Sequence, residues 1–351
     1  MSLAQLHIHN LRNIKSAKLA FHPKLNFIFG DNGSGKTSLL EAIYLLGTGH
    51  SFRTREILPM ISHGETCLTL FARMLNEQSI SIQKAHHVPT QVRLNNLPCQ
   101  MSSELARFLP CQVFYQDIFQ IIDAGPSIRR SVIDWGLFHV KHDYHLLWKN
   151  YKRALKQRNS LLRQKATSQH VQPWNKVLSE LALQLHQARE AYVAKLIPVF
   201  NKVLHQLSDL KCSLHYYKGW DRRETDKSLQ QILQESYQSD LQRQFTQYGA
   251  HQADLSLIPE EFTAKQYLSR GQQKIVLFAL KLAQAELTSK PCVYLCDDLA
   301  SELDQIHIER LLQLIYKTEG QFFVTAVSQS ILPMRKVDGC KAFFLTNGKM
   351  V

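Results

Sequence analysis

Two short segments far apart in the chain carry residue types able to handle phosphate and a hard metal ion. Gly30-Asp31-Asn32-Gly33-Ser34-Gly35-Lys36-Thr37 fits G-x-x-x-x-G-K-[ST]. In such a loop backbone N–H groups cradle phosphate, while a lysine and a hydroxyl complete the site. Lys36 would reach the β- and γ-phosphates as a point charge, and the Thr37 hydroxyl would sit on Mg2+. Gly33 and Gly35 let the backbone approach where a side chain would block it. Asp31, Asn32, Ser34 and Ser38 complete the expected nucleotide contact. The second segment is Asp297-Asp298, which closes the apolar run Cys292-Val293-Tyr294-Leu295-Cys296. Asp297 would bind Mg2+, directly or through water, and Asp298 would orient or deprotonate an attacking water. Alone, two adjacent acids could equally begin a solvated turn; Lys36 makes the functional reading the better one.

Each segment has the elements needed to position it. Leu25, Phe27 and Phe29 alternate with Asn26 and Ile28 as a short strand before the glycine loop. Ser38 to Leu46 follows as a helix ending near Gly47. The run at 292–296 reads as a buried parallel strand whose end lies at the ligand edge of a sheet. Several sheet elements and a large insertion must separate the two motifs. Leu268-Ser269-Arg270-Gly271-Gln272-Gln273 precedes a helical run from Lys274 to about Leu287. A serine followed by glycine at a helix start offers a hydroxyl, bare N–H groups and a positive dipole end. By itself that is only a capped helix. Beside a phosphate loop, it suggests one phosphate gripped from opposite sides by two subunits.

The chain has 351 residues, with 42 Lys plus Arg against 29 Asp plus Glu, a formal net charge of +13. A balance this basic favours polyanions, nucleic acid first, over simple solubility. With 44% hydrophobic and 20% charged residues, 14 Gly and 11 Pro, it is neither mainly disordered nor collagenous. Seven cysteines without a CxxC pair fit a reducing compartment. Residues 1–10 lack a signal-type apolar core, and no apolar run is long enough to span a bilayer. The expectation is a soluble, cytoplasmic protein without a membrane partner. Residues 1–20, 67–75, 79–84 and 91–95 alternate as strands of a β-rich lobe. From Tyr144, steps of three and four through Leu147, Trp148, Tyr151 and Leu155 predict an amphipathic helix. Residues 141–165 hold eight Lys or Arg and one acid. Lys149, Lys152, Arg153, Lys156 and Arg163 are the expected DNA phosphate track, the alternative being a solvated face. A second stripe from Trp174 to Leu196 should be ended or kinked by Pro198. A third, Leu229 to Tyr248, should begin at Thr225 or Asp226, its aromatics packing rather than stacking on bases. A strand is expected within 211–217, and Gly249-Ala250-His251 suits either packing or a place beside DNA.

On these motifs the chain resembles the RecF family, bacterial recombination and gap-repair ATPases related to SMC and Rad50 proteins and to ABC ATPase heads. The resemblance rests on Leu11-Arg12-Asn13, the 30–37 loop, Leu39-Leu40-Glu41-Ala42-Ile43 and Ser51-Phe52-Arg53-Thr54. It continues through Gly125-Pro126 with Arg129-Arg130, the 268–272 signature, and Asp297-Asp298 with Ser301-Glu302-Leu303-Asp304. It implies an α/β fold: an ABC-type P-loop ATPase head with a β-rich lobe and an inserted, mainly helical arm. The head portions and lobe would be 1–137 and 258–351, and the arm 138–257. It further implies an ATP-dependent homodimer with ATP and Mg2+ as cofactors. Lys36, Thr37 and Asp297 of one subunit would meet Ser269, Gly271 and Gln272 of the other. Arg12 and Asn13 resemble residues near the adenine, and Gln116 occupies the metal- and water-sensing position, with Asp117 a rival. The activity implied is slow ATP hydrolysis, with Lys36, Asp298, Gln116 and Ser269 in catalytic roles. Asp298 stands where many ABC proteins have glutamate, and Val324-Thr325-Ala326 lacks the usual histidine; Thr325 is expected either to supply a hydroxyl near the γ-phosphate or simply to end a strand. The implied partners are duplex or gapped DNA, recombination mediator proteins and a strand-exchange recombinase. An ATP-driven transport or remodelling subunit built on the same head is the alternative, which the basic helix disfavours.

Overall fold

A computed structural model describes residues 2–223, 225–259, 268–288, 290–329 and 339–350, with the backbone alone at Gln116 and Asp117. It divides into two compact units. One comprises Met1–Ile118, Gln206–Ser208 and Thr288–Val351; the other comprises Phe119–His205 and Asp209–Leu287. These cuts fall at other positions than 137/138 and 257/258.

The first unit contains two six-stranded sheets. The N-terminal hairpin, β1 (Leu3–Leu11) and β2 (Ile14–Ala20), turns at Arg12-Asn13 as expected. It continues through β4 (Cys67–Met74), β5 (Ser79–Ala85), β6 (Val88–Leu94) and β7 (Leu97–Pro98) into an antiparallel lobe ordered 2-1-4-5-6-7. Alternating residues such as Leu68, Leu70, Ala72, Ile80 and Ile82 are buried on one face, as a half-covered sheet requires.

The second sheet is mostly parallel, in the order 14-13-3-12-11-8. Its strands are β3 (Leu25–Phe29), β8 (Cys111–Phe114), β11 (Cys292–Cys296), β12 (Gly320–Ala326), β13 (Cys340–Thr346) and β14 (Lys349–Met350). Every residue of β3 and β11 is buried. That explains why β11 reads as a continuous apolar run; in β3 the buried Asn26 is satisfied by the His22 backbone, at 2.8 Å for both bonds. Helix α1 (Lys36–Thr48) packs on strands of both sheets. Leu39, Leu40, Ile43, Leu45 and Leu46 join a single core with residues from both. The short α2 (Ser102–Phe108) packs on α1, and α10 (Gln305–Lys317) follows β11.

The second unit is mainly helical: α3 (Gln120–Asp123), α4 (Pro126–Val140), α5 (Tyr144–Arg163), α6 (Ser168–Leu207), α7 (Leu229–Glu235), α8 (Tyr237–Arg243) and α9 (Arg270–Glu286). One antiparallel pair, β9 (Cys212–Tyr217) and β10 (Asp254–Pro259), accompanies them.

Of the two outcomes expected at Pro198, the helix ending does not occur, and two other local details also differ. Pro198 neither ends nor bounds its helix, because α6 runs on to Leu207 and also contains Pro173. The apolar stripe continues past it through Phe200, Val203 and Leu204, all buried. Their packing offsets a proline cost of about 3 kcal/mol. The third stripe is two helices meeting at Ser236, stopped by Gln244 in the left-handed region (φ 62). Its cap is Ser228 in a capping box with Gln231. Thr225 instead donates to Asp221 from its N–H and hydroxyl. Finally, the basic count over 141–165 included Arg158, which is fully buried. It donates to Asn175, Asp240 and Thr246 at 2.7–2.8 Å. His251 is a packing residue: its ring bonds the Tyr151 hydroxyl (2.7 Å) and the Thr246 carbonyl (2.9 Å). Burial, its leading cause, draws the His251 pKa down to about 4.

Candidate functional site

The glycine loop occupies the C-terminal end of β3, where the chain turns into α1. Its geometry leaves no room for substitution at two glycines. Gly30 has φ 151, and a Cβ there would lie 2.3 Å from the Leu345 carbonyl oxygen. Gly35, the N-cap of α1, has φ 115, a backbone region that side chains rarely tolerate. Lys36 folds back so that its ammonium donates to the carbonyls of Gly30 (2.6 Å) and Asp31 (2.9 Å). Asn13 braces the loop, donating to the Gly33 carbonyl at 2.9 Å and accepting from the Ser38 hydroxyl at 3.2 Å.

The two motifs that the sequence separates meet across β12. Sheet order places β12 between β3 and β11. The Thr37 hydroxyl donates to the Asp297 carboxylate, 2.9 Å from Oδ2. From the intervening strand, the Thr325 hydroxyl donates to Asp297 Oδ1 at 2.8 Å and accepts from the Asp298 N–H at 2.8 Å. Asp298 itself sits at φ 46, a conformation non-glycine residues adopt only when neighbours hold it. Burial raises the Asp297 pKa, against the opposing effect of the hydrogen bonds from Thr325 and Thr37. Asp297 is therefore costly to keep ionised until a cation arrives.

Arg12 forms another wall of the same cleft. Its guanidinium binds both oxygens of Glu41, at 2.9 and 2.8 Å, and a third N–H reaches the Pro59 carbonyl at 2.6 Å. Glu41 has no exposed surface. It also accepts from the Ser51 hydroxyl, and Arg53 stands 3.7 Å away. The sequence reading used Glu41 only as part of a motif. The signal was a carboxylate inside Leu39-Leu40-Glu41-Ala42-Ile43, because a buried acid needs a charged partner. Together Arg12, Asn13, Asn32, Gly33, Gly35, Lys36, Thr37, Ser38, Arg53, Asp297, Asp298 and Thr325 line a cleft of about 440 Å³.

The remaining expected site residues lie elsewhere. Ser269, in the second unit, caps α9: its hydroxyl accepts from the Gln272 N–H (3.2 Å), and Gln272 Oε1 accepts from the Ser269 N–H (2.9 Å). Arg270 pairs with Asp123 at 2.9 Å, and Gly271 lies in the first turn of the helix. Gln116 begins a 3-10 turn ending at Phe119; its side chain lies outside the described residues, as does that of Asp117. Lys149, Lys152, Arg153, Lys156 and Arg163 are all exposed on α5. At 100° per residue they fall within a sector of about 100°, with Arg158 on the opposite side.

A phosphate loop on a mostly parallel sheet, with an acid pair across one intervening strand and an antiparallel lobe in the same unit, defines an SMC-type P-loop ATPase head. The RecF/RecN/SMC N terminal domain family matches residues 2–349. Within it the chain belongs to the RecF family. It is 39% identical over 342 residues to the DNA replication and repair protein RecF of Cellvibrio japonicus, covering 95% of this chain and 93% of that one. Against the protein of the same description from Shewanella amazonensis it is 41% identical over 340 residues, covering 95% and 94%. Among solved structures, that of the recombination mediator protein RecF-ATP in the RecFOR pathway superimposes with a TM-score of 0.85. It is 27% identical, covering 100% of this chain and 97% of that one. An SMC head bound to the C-winged helix domain of ScpA has a TM-score of 0.65 at 16% identity, covering 100% and 97%; that likeness concerns the fold alone. Among the described residues no helix is long and apolar enough to cross a membrane.

Proposed function

We propose that this chain is an ATP-dependent DNA-binding switch of recombinational repair. ATP would join two copies, and slow hydrolysis would separate them. The observation that carries this reading is the cluster Lys36, Thr37, Asp297 and Thr325, which joins a phosphate loop to a buried carboxylate. A related solved structure described as RecF-ATP supports it.

Thr37 and Asp297 would hold Mg2+: both offer hard oxygen atoms, and Asp297 has a raised pKa that a cation would offset. Bound there, the ion supplies charge neutralisation for the terminal phosphates. Lys36 would exchange its two loop carbonyls for phosphate oxygens, and Gln116 would join the metal and water. Asp298 would position the attacking water. The exposed N-terminus of α9, with Ser269, Gly271 and Gln272, would contact the nucleotide held by the partner copy. The head portions would be 1–137 and 258–351, and 138–257 the arm whose α5 face contacts DNA. By the same proposal the chain acts in the cytoplasm at gapped DNA, with mediator proteins and a strand-exchange recombinase as partners. Relatives described as DNA replication and repair proteins and as a recombination mediator support the repair context.

Sedimentation of the full chain with ATP, ADP and a non-hydrolysable analogue tests the gating directly. Lys36→Met should lower ATP affinity at least about tenfold, removing roughly 1.4 kcal/mol, and abolish nucleotide-induced dimers. Ser269→Arg should retain ATP binding yet fail to dimerise. Normal triphosphate binding without pairing of wild-type subunits, or without a change in DNA retention, would reject the switch.

A further inference from the structure

The second unit has its own cleft, of about 700 Å³, which none of the nucleotide-site residues and none of the five exposed α5 cations lines. Its wall is a built turn rather than loose chain. After Tyr217 at the end of β9, Gly219 adopts φ 101, and a Cβ there would lie 2.2 Å from the Gly249 carbonyl oxygen. The Gly249 N–H donates to the Gly219 carbonyl at 3.1 Å. Trp220 is buried, and Asp221 accepts from the N–H (2.9 Å) and hydroxyl (2.6 Å) of Thr225. The turn therefore holds Arg222 and Arg223 exposed against the cleft.

The cleft lining carries three acids and three bases, but the acids are already engaged. Asp254 is taken by a bidentate contact from Arg129, at 2.7 and 2.9 Å. Glu235 pairs with Lys227 at 2.8 Å, and Asp221 is held by Thr225 with Lys218 at 3.6 Å. Among the described residues no ion pair is recorded for Arg222 or Arg223. Arg222 is engaged with Tyr217, lying over its ring 5.0 Å from the centroid and hydrogen-bonded to its side chain. Tyr248, which the sequence pattern assigns to packing, lines the same cleft and is 40% exposed.

We propose that this cleft binds an unpaired stretch of nucleic-acid strand. Arg222 and Arg223 contact its phosphates, and a base stacks on Tyr248 or on the Arg222–Tyr217 platform. A cation without an ion pair, Arg223, beside an arginine stacked on one ring and the exposed face of Tyr248 is what a single strand needs, because its bases are free to stack. A duplex keeps its bases stacked inside, so the cleft discriminates strands where the α5 face reads only backbone charge. An acidic peptide would satisfy the arginines but leave the exposed ring of Tyr248 without a partner.

The test uses the full chain without nucleotide, a short fluorescein-labelled oligothymidylate, and a duplex of the same length. An oligonucleotide carrying 5-iodouracil should crosslink within peptides holding Tyr217 or Tyr248. Arg222→Glu with Arg223→Glu should weaken oligothymidylate binding at least about tenfold and flatten its salt dependence by roughly one phosphate contact or more. Tyr248→Ala should cost roughly fivefold or more while Tyr248→Phe stays near wild type, since the ring face rather than the hydroxyl binds. The wild-type affinity should be the same when ATP is added, which separates the cleft from nucleotide gating. Crosslinks confined to α5, or undiminished oligothymidylate binding in the double arginine variant, would overturn the proposal. So would oligoglutamate binding that the same variant abolishes while oligothymidylate fails to bind, which would assign the cleft to an acidic peptide.

Discussion

Thr325 has the most consequential single hydroxyl in the phosphate cleft. It touches Asp297 with its proton and the Asp298 N–H with its lone pair, so one atom sets both acids. Thr325→Val keeps the shape but removes the acceptor of the Asp298 N–H and leaves Asp297 with Thr37 as its hydroxyl donor, at a cost of about 1–3 kcal/mol for the group stranded in the interior. The expected result is a turnover number reduced about tenfold or more with ATP affinity nearly unchanged, because Thr325 positions the acids rather than the nucleotide. Thr325→Ser should recover most of the rate; parallel turnover and nucleotide titrations provide the check. Asp297 gives a prediction of opposite sign for stability. Its pKa is raised above the ordinary 3.8. The folded state therefore binds the proton more tightly than the unfolded one, and stability declines as pH rises from 3.8 through the folded value. In metal-free neutral buffer Asp297→Asn should melt at the wild-type temperature or about 2–4 °C above it. Yet it should lose at least about tenfold in Mg2+-dependent nucleotide affinity. A variant that melts well below wild type would show that Asp297 is needed for folding.

At the scale of elements, helix periodicity decides which charges are available. Along α5, Lys149, Lys152, Arg153, Lys156 and Arg163 share one face, whereas Arg158 turns inward to Asp240 and forms a buried pair at 2.8 Å. Truncating one member leaves the other charge buried without compensation. Arg158→Met should therefore destabilise the second unit by about 3–5 kcal/mol, and adding Asp240→Leu should restore much of that loss. Urea unfolding followed through Trp148, Trp174 and Trp220 would measure it; equal stabilities of the single and double variants would exclude the coupling. Helix α6 gives the complementary lesson. Its two prolines each remove a hydrogen bond, yet the helix continues past Pro198 with buried side chains on both sides of it.

At the scale of the whole molecule, a net charge of +13 matters only where the fold leaves cations on a surface. Reversing Lys152, Arg153 and Lys156 to Glu should weaken duplex binding for every sequence tested. It should also lower the salt slope by about 0.9 per lost phosphate contact. Titrations at several salt concentrations with unchanged affinity and slope would remove α5 from the DNA-binding surface. The substitutions avoid the buried face, so folding should be preserved.

What the chain alone determined were features written in contiguous residues. The glycine loop, the strands at 25–29 and 292–296, the N-terminal hairpin and the cap at Ser269 each need only neighbours in sequence. Backbone conformation and alternation act over a few residues, and so they are legible there. Tertiary structure decided the rest. Thr325 acquired its role because β12 lies between β3 and β11, an ordering no local pattern encodes. Glu41 became the anchor of Arg12 only when the N-terminal hairpin met α1. Pro198 stayed inside a helix, and Tyr248 stayed exposed, because packing energy summed over distant residues outweighs the local preference of one.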